Sequence, residues 1–136
     1  MLQAYSSNIT FAANTAIPFN NVTVDKGCAE SLTAPATIQL NQRGVYLIKV
    51  DGYGTGAAAG TGSIQVQVNG VVQPQAISEF TTAAATISNF SCNTLVQVAT
   101  NNCNCNCYSS PTTIQVVTGD QALTAGHANI IVTKLC

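Results

Sequence analysis

The feature that most constrains this chain is a run of strict two-residue alternation closed by a tight-turn dipeptide. In Ser63-Ile64-Gln65-Val66-Gln67-Val68, Ile64, Val66 and Val68 fall on one side and Ser63, Gln65 and Gln67 on the other. Successive strand side chains point to opposite faces, so this is a strand with a core face and a wet face. Asn69-Gly70 follows, then Val71-Val72. A two-residue hairpin turn of type I′ needs positive φ at both central positions, which Asn-Gly supplies. Pro74, which cannot donate to a ladder, sets the end of the second strand at an edge or bulge.

The same period recurs. Ile38 and Leu40 share a face in Thr37–Asn41. In Gly44–Asp51, Tyr46, Ile48 and Val50 share one face, while Val45, Leu47 and Lys49 share the other. That mixed second face predicts burial on both sides, as at a subunit interface, with Tyr46 and Leu47 the candidate contact residues. Further strands are predicted at Thr86–Phe90, Thr94–Ala99, Thr112–Val117 and Asn129–Leu135, with weaker candidates at Asn8–Ala12 and Asn20–Val24. Gly52–Gly62, rich in Gly and Ala, reads as a loop. No segment sustains a 3.6-residue period, and Ala83-Ala84-Ala85 is too short to nucleate a helix. Seven to ten short strands in 136 residues predict one all-β domain, a jelly-roll β-sandwich spanning 1–136. Residues 1–35 are expected to form an arm that contributes to assembly.

Only 7% of residues are charged, against about 25% in a typical soluble domain. Thr, Asn, Gln and Ser supply the polar surface instead. Four Lys+Arg against five Asp+Glu leave a net charge of −1. Nucleic-acid binding needs a basic face, and so does an anionic membrane surface; neither is present. So small a net charge favours self-association. Met1–Asn8 has neither the basic nor the apolar region of a signal peptide. No run reaches the roughly 18 apolar residues of a membrane span. If Met1 is the natural start, the expectation is synthesis in a cytoplasm and exit, if any, by cell lysis or particle release.

The order of these pieces resembles trimeric jelly rolls of the tumour necrosis factor and complement type. Gly44-Val45-Tyr46-Leu47-Ile48-Lys49-Val50 is similar to that fold's glycine–aromatic strand element. The hairpin Ile64–Gln73 and the strands Thr94–Val98, Thr112–Val117 and Ala128–Lys134 follow in its order. The likeness extends from about Ala36 onward, to the jelly-roll domains of bacterial spore-surface collagen-like glycoproteins and to small phage structural proteins. It implies a compact homotrimer. The chain has no Gly-X-Y stalk, which favours a free-standing bacteriophage capsid decoration or head-fibre domain at the virion surface. The partners implied are other copies of the chain and a capsid protein. The alternatives are a receptor- or carbohydrate-binding tip recognising a host surface glycan, and a spore-surface domain.

Residues able to carry chemistry are few. Of six cysteines, Cys103, Cys105 and Cys107 alternate with Asn104 and Asn106. If extended, their thiols share one side at about 7 Å spacing, too far for simple i, i+2 bridging. Free thiols, disulfides within or between chains, and a soft-metal site at a threefold axis stay open. The spacing lacks a Cys-x-x-Cys pair and an accompanying His, so no metal is assigned. His127 is the sole histidine and reads as a loop residue before the last strand. Asp25, Glu30, Asp51, Glu79 and Asp120 are scattered singly. General acid–base catalysis needs titratable groups gathered in a pocket, and a cupin-like site needs several His and carboxylate ligands. The glycines Gly54, Gly56, Gly60 and Gly62 lack the Lys and helix of a phosphate loop. No catalytic residue and no cofactor are predicted. The triplets beginning at Asn8, Asn21 and Asn89 match a glycosylation acceptor but are chance in so Asn- and Thr-rich a chain. If exposed, Tyr5, Tyr46, Tyr53 and Tyr108 could stack on a sugar, with Tyr46 assigned to core or interface. The segments Gly52–Gly62 and Ala99–Pro111 would carry recognition.

Overall fold

The computed structural model of the chain describes residues 1–99 and 112–136. Among them are ten strands: β1 (Leu2–Phe11), β2 (Asn21–Asp25), β3 (Glu30–Ala34), β4 (Thr37–Leu40), β5 (Gly44–Gly56), β6 (Gly60–Val68), β7 (Val71–Thr82), β8 (Ile87–Val98), β9 (Thr112–Thr118) and β10 (Leu123–Lys134). They form two five-stranded sheets, β2-β1-β10-β5-β8 and β3-β4-β9-β6-β7, here called sheets A and B. Every ladder is antiparallel. The chain forms the hairpins β1–β2, β3–β4 and β6–β7 and otherwise crosses from one sheet to the other between successive strands, as in a jelly-roll sandwich.

Alternation places the core. Tyr46, Ile48 and Val50 of β5, Ile64 and Val66 of β6, Ile114 and Val116 of β9, and Ile130 and Val132 of β10 are wholly enclosed between the sheets. At roughly 1.5–3 kcal/mol for each large apolar side chain buried, this layer is the main favourable contribution to folding. Phe11, Phe80 and Phe90 meet ring to ring toward one end, with centroids 6.3 and 6.0 Å apart for the Phe11–Phe90 and Phe80–Phe90 pairs.

The Asn69-Gly70 turn is as the sequence predicts, with φ of 51° and 79°. Space around Gly70 is open, so backbone conformation alone sets the cost of a side chain there. Gly70→Ala is expected to lose roughly 1 kcal/mol, read as a lower denaturation midpoint with unchanged slope. Pro74 lies in edge strand β7 where the register shifts between Gln65 and Gln67, but the strand continues to Thr82.

Three expectations need correction. Gly52–Gly62 is mostly strand: β5 runs through Gly56 and β6 begins at Gly60. Its glycines fit crowding rather than flexibility. A Cβ at Gly54 would sit 2.7 Å from Leu123 Cβ, and one at Gly62 2.4 Å from the Phe80 ring. The two strands expected between Thr86 and Ala99 are one, β8, with perfectly alternating burial. β10 starts at Leu123, so His127 lies within a strand and not in a loop. Residues 1–35 are built into the sandwich. β1 pairs with both β10 and β2, and Leu2, Ala4, Phe11, Ile17 and Phe19 are core.

The edge strands β7 and β8 meet at one side of the sandwich through side chains. Ser78 Oγ accepts from the Ser91 amide at 3.4 Å, Ser88 Oγ donates to the Thr81 carbonyl at 2.9 Å, and Gln75 Nε2 donates to Thr94 Oγ1 at 3.2 Å. One backbone amide and one backbone carbonyl of these edges, those of Ser91 and Thr81, are thus bonded to side chains within the chain.

Candidate subunit interface

The outward face of sheet A follows from register. Leu47 of β5 stands opposite Leu95 of β8 and Thr133 of β10. One step along, Lys49 lies between Asn93 and Ile131, and Ile131 faces Gln3 of β1. Asp51 lies between Ser91 and Asn129, with Tyr5 beyond. Tyr53 lies between Asn89 and His127.

Most of the large apolar side chains left exposed belong to this sheet or its ends: Tyr5, Val22, Tyr53, Ile87, Leu95 and Leu135. Leu95 and Ile87 are 57% and 63% exposed. The outward charged residues of β1, β10, β5 and β8 are Lys49 and Asp51. Strand β8, at the edge, carries neither a charge nor a proline across twelve residues, the devices that usually keep an edge solitary. Sheet B is more polar: its outer side presents Thr37, Gln39, Gln65, Gln67 and Gln115, with Ile77 exposed on edge strand β7 and Val71 at the hairpin tip, and Gln115 Nε2 donates to Thr37 Oγ1 at 3.0 Å. Exposed apolar surface concentrated on one face marks an interaction site.

Tyr46 is not on this face. Its ring is fully enclosed within one chain, and its hydroxyl donates its one proton to the Gln42 carbonyl at 2.8 Å, with the Ala29 carbonyl also in reach at 3.1 Å. Alternation turns it inward, so it serves the core and offers a neighbouring copy nothing. Leu47, half-buried and outward, is the member of the predicted pair left for contact.

Three groups of side chains could carry chemistry. The His127 ring stacks on Tyr53, centroids 4.6 Å apart, and its Nδ1 is 3.2 Å from Ser7 Oγ. No carboxylate completes a relay there among the described hydrogen bonds and ion pairs. Cys103, Cys105, Cys107 and Tyr108 lie outside the described residues. Of the described cysteines, Cys28 and Cys136 are exposed thiols and Cys92 is buried. Among the described residues no three His, Cys, Asp or Glu side chains converge as a metal site, and no helix is long and apolar enough to cross a membrane.

Burial pushes the Cys92 thiol up to about 11. The Tyr46 phenol is also raised, chiefly by burial, against the lowering effect of its hydrogen bond to Gln42. Both groups are neutral when protonated, and the folded chain holds their protons to higher pH than the unfolded chain. Stability is therefore full below the ordinary thiol value of 9.0 and falls as pH rises through about 11. For Cys92 the expected loss is about 1–2 kcal/mol, the full value of about 1.4 kcal/mol per unit being reduced by solvent screening. Melting curves from pH 8 to 11 should show the decline, less steep in Cys92→Ala; identical slopes in both proteins would remove Cys92 as the cause.

A search of protein-family models gives no match, and neither does a comparison with curated protein sequences. Solved structures do match. The globular domain of zebrafish complement 1qA protein is similar over 99% of this chain and 96% of its own, with TM-score 0.65 and 8% identity. PRD1 vertex protein P5 is similar over the same shares, with TM-score 0.62 and 16% identity. The fold is that of the tumour necrosis factor and complement jelly rolls. Murine APRIL repeats it at TM-score 0.62 and 10% identity, over 98% of this chain and 97% of its own. The likeness thus includes the first 35 residues, which the sequence pattern alone did not place in it.

Proposed function

We propose that this chain is a structural protein of a bacteriophage virion surface, a capsid-decoration or head-fibre domain that assembles as a homotrimer through the outer face of sheet A. The observation that carries the assembly is the concentration of Leu47, Leu95, Ile87, Ile131 and the two tyrosines on one nearly uncharged sheet face. The phage setting draws support from the full-length likeness to PRD1 vertex protein P5. It also fits a chain with no basic surface for nucleic acid or for an anionic membrane. The partners are further copies and a capsid protein, and the work is mechanical, without catalysis or cofactor. In an interface of this kind, apolar burial drives association, while Lys49 and Asp51 set register by finding opposite charges on the neighbour.

Immunogold labelling tests the setting. Antibody to this domain is applied to the particles and cells of an induced, sporulated and lysed culture of the source organism. Label on phage particles is the expected result, and its position distinguishes head from tail. Label confined to spores or cell surfaces overturns the virion reading in favour of a spore-surface or glycan-binding module. A specific observation gives that second reading its place to look: Tyr53 and His127 stack at the exposed end of sheet A, in line with Asn89.

A further inference from the structure

Two exposed cysteines distant in sequence reach the same mouth of the sandwich. Cys28 lies in the connection before β3, where its carbonyl accepts from Asn41 Nδ2 at 3.3 Å and its Sγ accepts from Gln42 Nε2 at 3.2 Å. The other end of the Gln42 carboxamide accepts from Lys134 Nζ at 3.0 Å. Cys136 follows Lys134 by two, and its carbonyl accepts from the Val45 amide at 3.1 Å.

The backbone of Cys136 is held at the start of β5. Val132 is core, and Lys134 stands opposite Tyr46, also core. Beyond Lys134 the Leu135 N–H donates to the Val45 carbonyl while the Val45 N–H donates to the Cys136 carbonyl, so the ladder slips by one residue and the exposed Cys136 ends against the start of β5. Gly44 keeps this passage narrow: a Cβ there would meet the Cys136 carbonyl and Lys134 Cε at 2.1 and 2.8 Å. The Gln42 carboxamide thus links the Cys28 thiol to the ammonium of Lys134, two residues before Cys136. Gln42 is exposed and free to swing aside, and both cysteines lie outside the strands.

We infer that Cys28 and Cys136 form a disulfide under oxidising conditions, closing the open mouth of the sandwich by tying the β2–β3 connection to the end of β10. The step is thiol–disulfide exchange. One thiolate attacks a small-molecule disulfide such as oxidised glutathione and releases one glutathione thiol. The second cysteine then displaces the other glutathione. Two protein thiols are oxidised to one disulfide while one glutathione disulfide is reduced to two thiols. Cys92, buried and with a raised thiol, takes no part. A chain assembled in a reducing cytoplasm would carry the open form, and release into an oxidising medium would lock it.

The test uses the full chain with Cys103→Ser, Cys105→Ser and Cys107→Ser, leaving Cys28, Cys92 and Cys136, incubated with oxidised glutathione. The expected product has lost two hydrogens, yields a Cys28–Cys136 cross-linked peptide on non-reducing digestion, and melts roughly 5 °C higher until reductant is added. Adding Cys28→Ser abolishes all three changes. Two glutathione mixed disulfides without a bridge, or a bridge only between copies, overturns the inference. The same digestion of the unsubstituted chain repeats the test without relying on the serine variant; a Cys28–Cys136 peptide supports the pair, and its absence after full oxidation counts against it.

Discussion

A chain carrying Leu47→Asp and Leu95→Asp is expected to be a folded monomer at concentrations where the parent chain is fully assembled. The two leucines face one another across the β5–β8 ladder and point out of the sandwich. Substitution therefore leaves the core intact, and melting should stay cooperative. In an assembly that covers sheet A, each carboxylate would be stripped of water without a partner. Even a discounted penalty of about 4 kcal/mol weakens association roughly a thousandfold. Val71→Asp is the matched control. Val71 is 64% exposed, but it sits at the hairpin tip of sheet B, away from the proposed contact. It should leave the oligomeric state untouched. Sedimentation velocity of the three proteins decides the matter: dissociation by Val71→Asp, or none by the leucine pair, would place the contact elsewhere.

The second large effect concerns Tyr46. Tyr46→Ala should cost roughly 3–5 kcal/mol, a third or more of the stability of an ordinary domain. The ring is fully enclosed, and its hydroxyl ties the turn after β4 and the residue before β3 to the start of β5. Removing the ring opens a cavity and removes the hydroxyl's bond to the Gln42 carbonyl, while the Ala29 carbonyl keeps the Asn41 amide. Tyr46→Phe keeps the packing and should cost roughly 1–2 kcal/mol. Urea titration of both variants separates ring from hydroxyl. A Tyr46→Ala loss below about 1 kcal/mol would show that the side chain is not held as described.

These two residues also show what could be read in the sequence. The inward set of β5 was legible because alternation of Tyr46, Ile48 and Val50 against Val45, Leu47 and Lys49 is a local signal. Alternation alone could not say whether Tyr46 was core or contact; its parity with Ile48 and Val50 in a two-layer fold decides for core. The type I′ turn was legible in Asn69-Gly70 because positive φ is chemically demanding. The strand character of Gly52–Gly56 was not, since glycine has low strand propensity and its use at Gly54 depends on Leu123, distant in sequence. β8 was divided because Ser91 to Asn93 carries little apolar signal, although Cys92 is buried there. β10 began late for a related reason: Ala125 has φ of 47° and the register slips before His127, disguising the strand's first turn of residues.

The proposed interface shows the same division. Leu47 was visible as an apolar residue on the wrong face of an otherwise half-polar strand. Leu95 and Ile131 were not, because their membership depends on which strands neighbour β5. The order β1-β10-β5-β8 comes from pairings across most of the chain and cannot be read from any window of it.

The central claim is that copies of this chain assemble as a trimer, and the native mass in solution tests it most directly. Mass photometry or sedimentation equilibrium at micromolar concentration should give three times the 14.0 kDa chain mass, independent of salt because the proposed contact is nearly uncharged. A mass of one chain at that concentration would contradict the account.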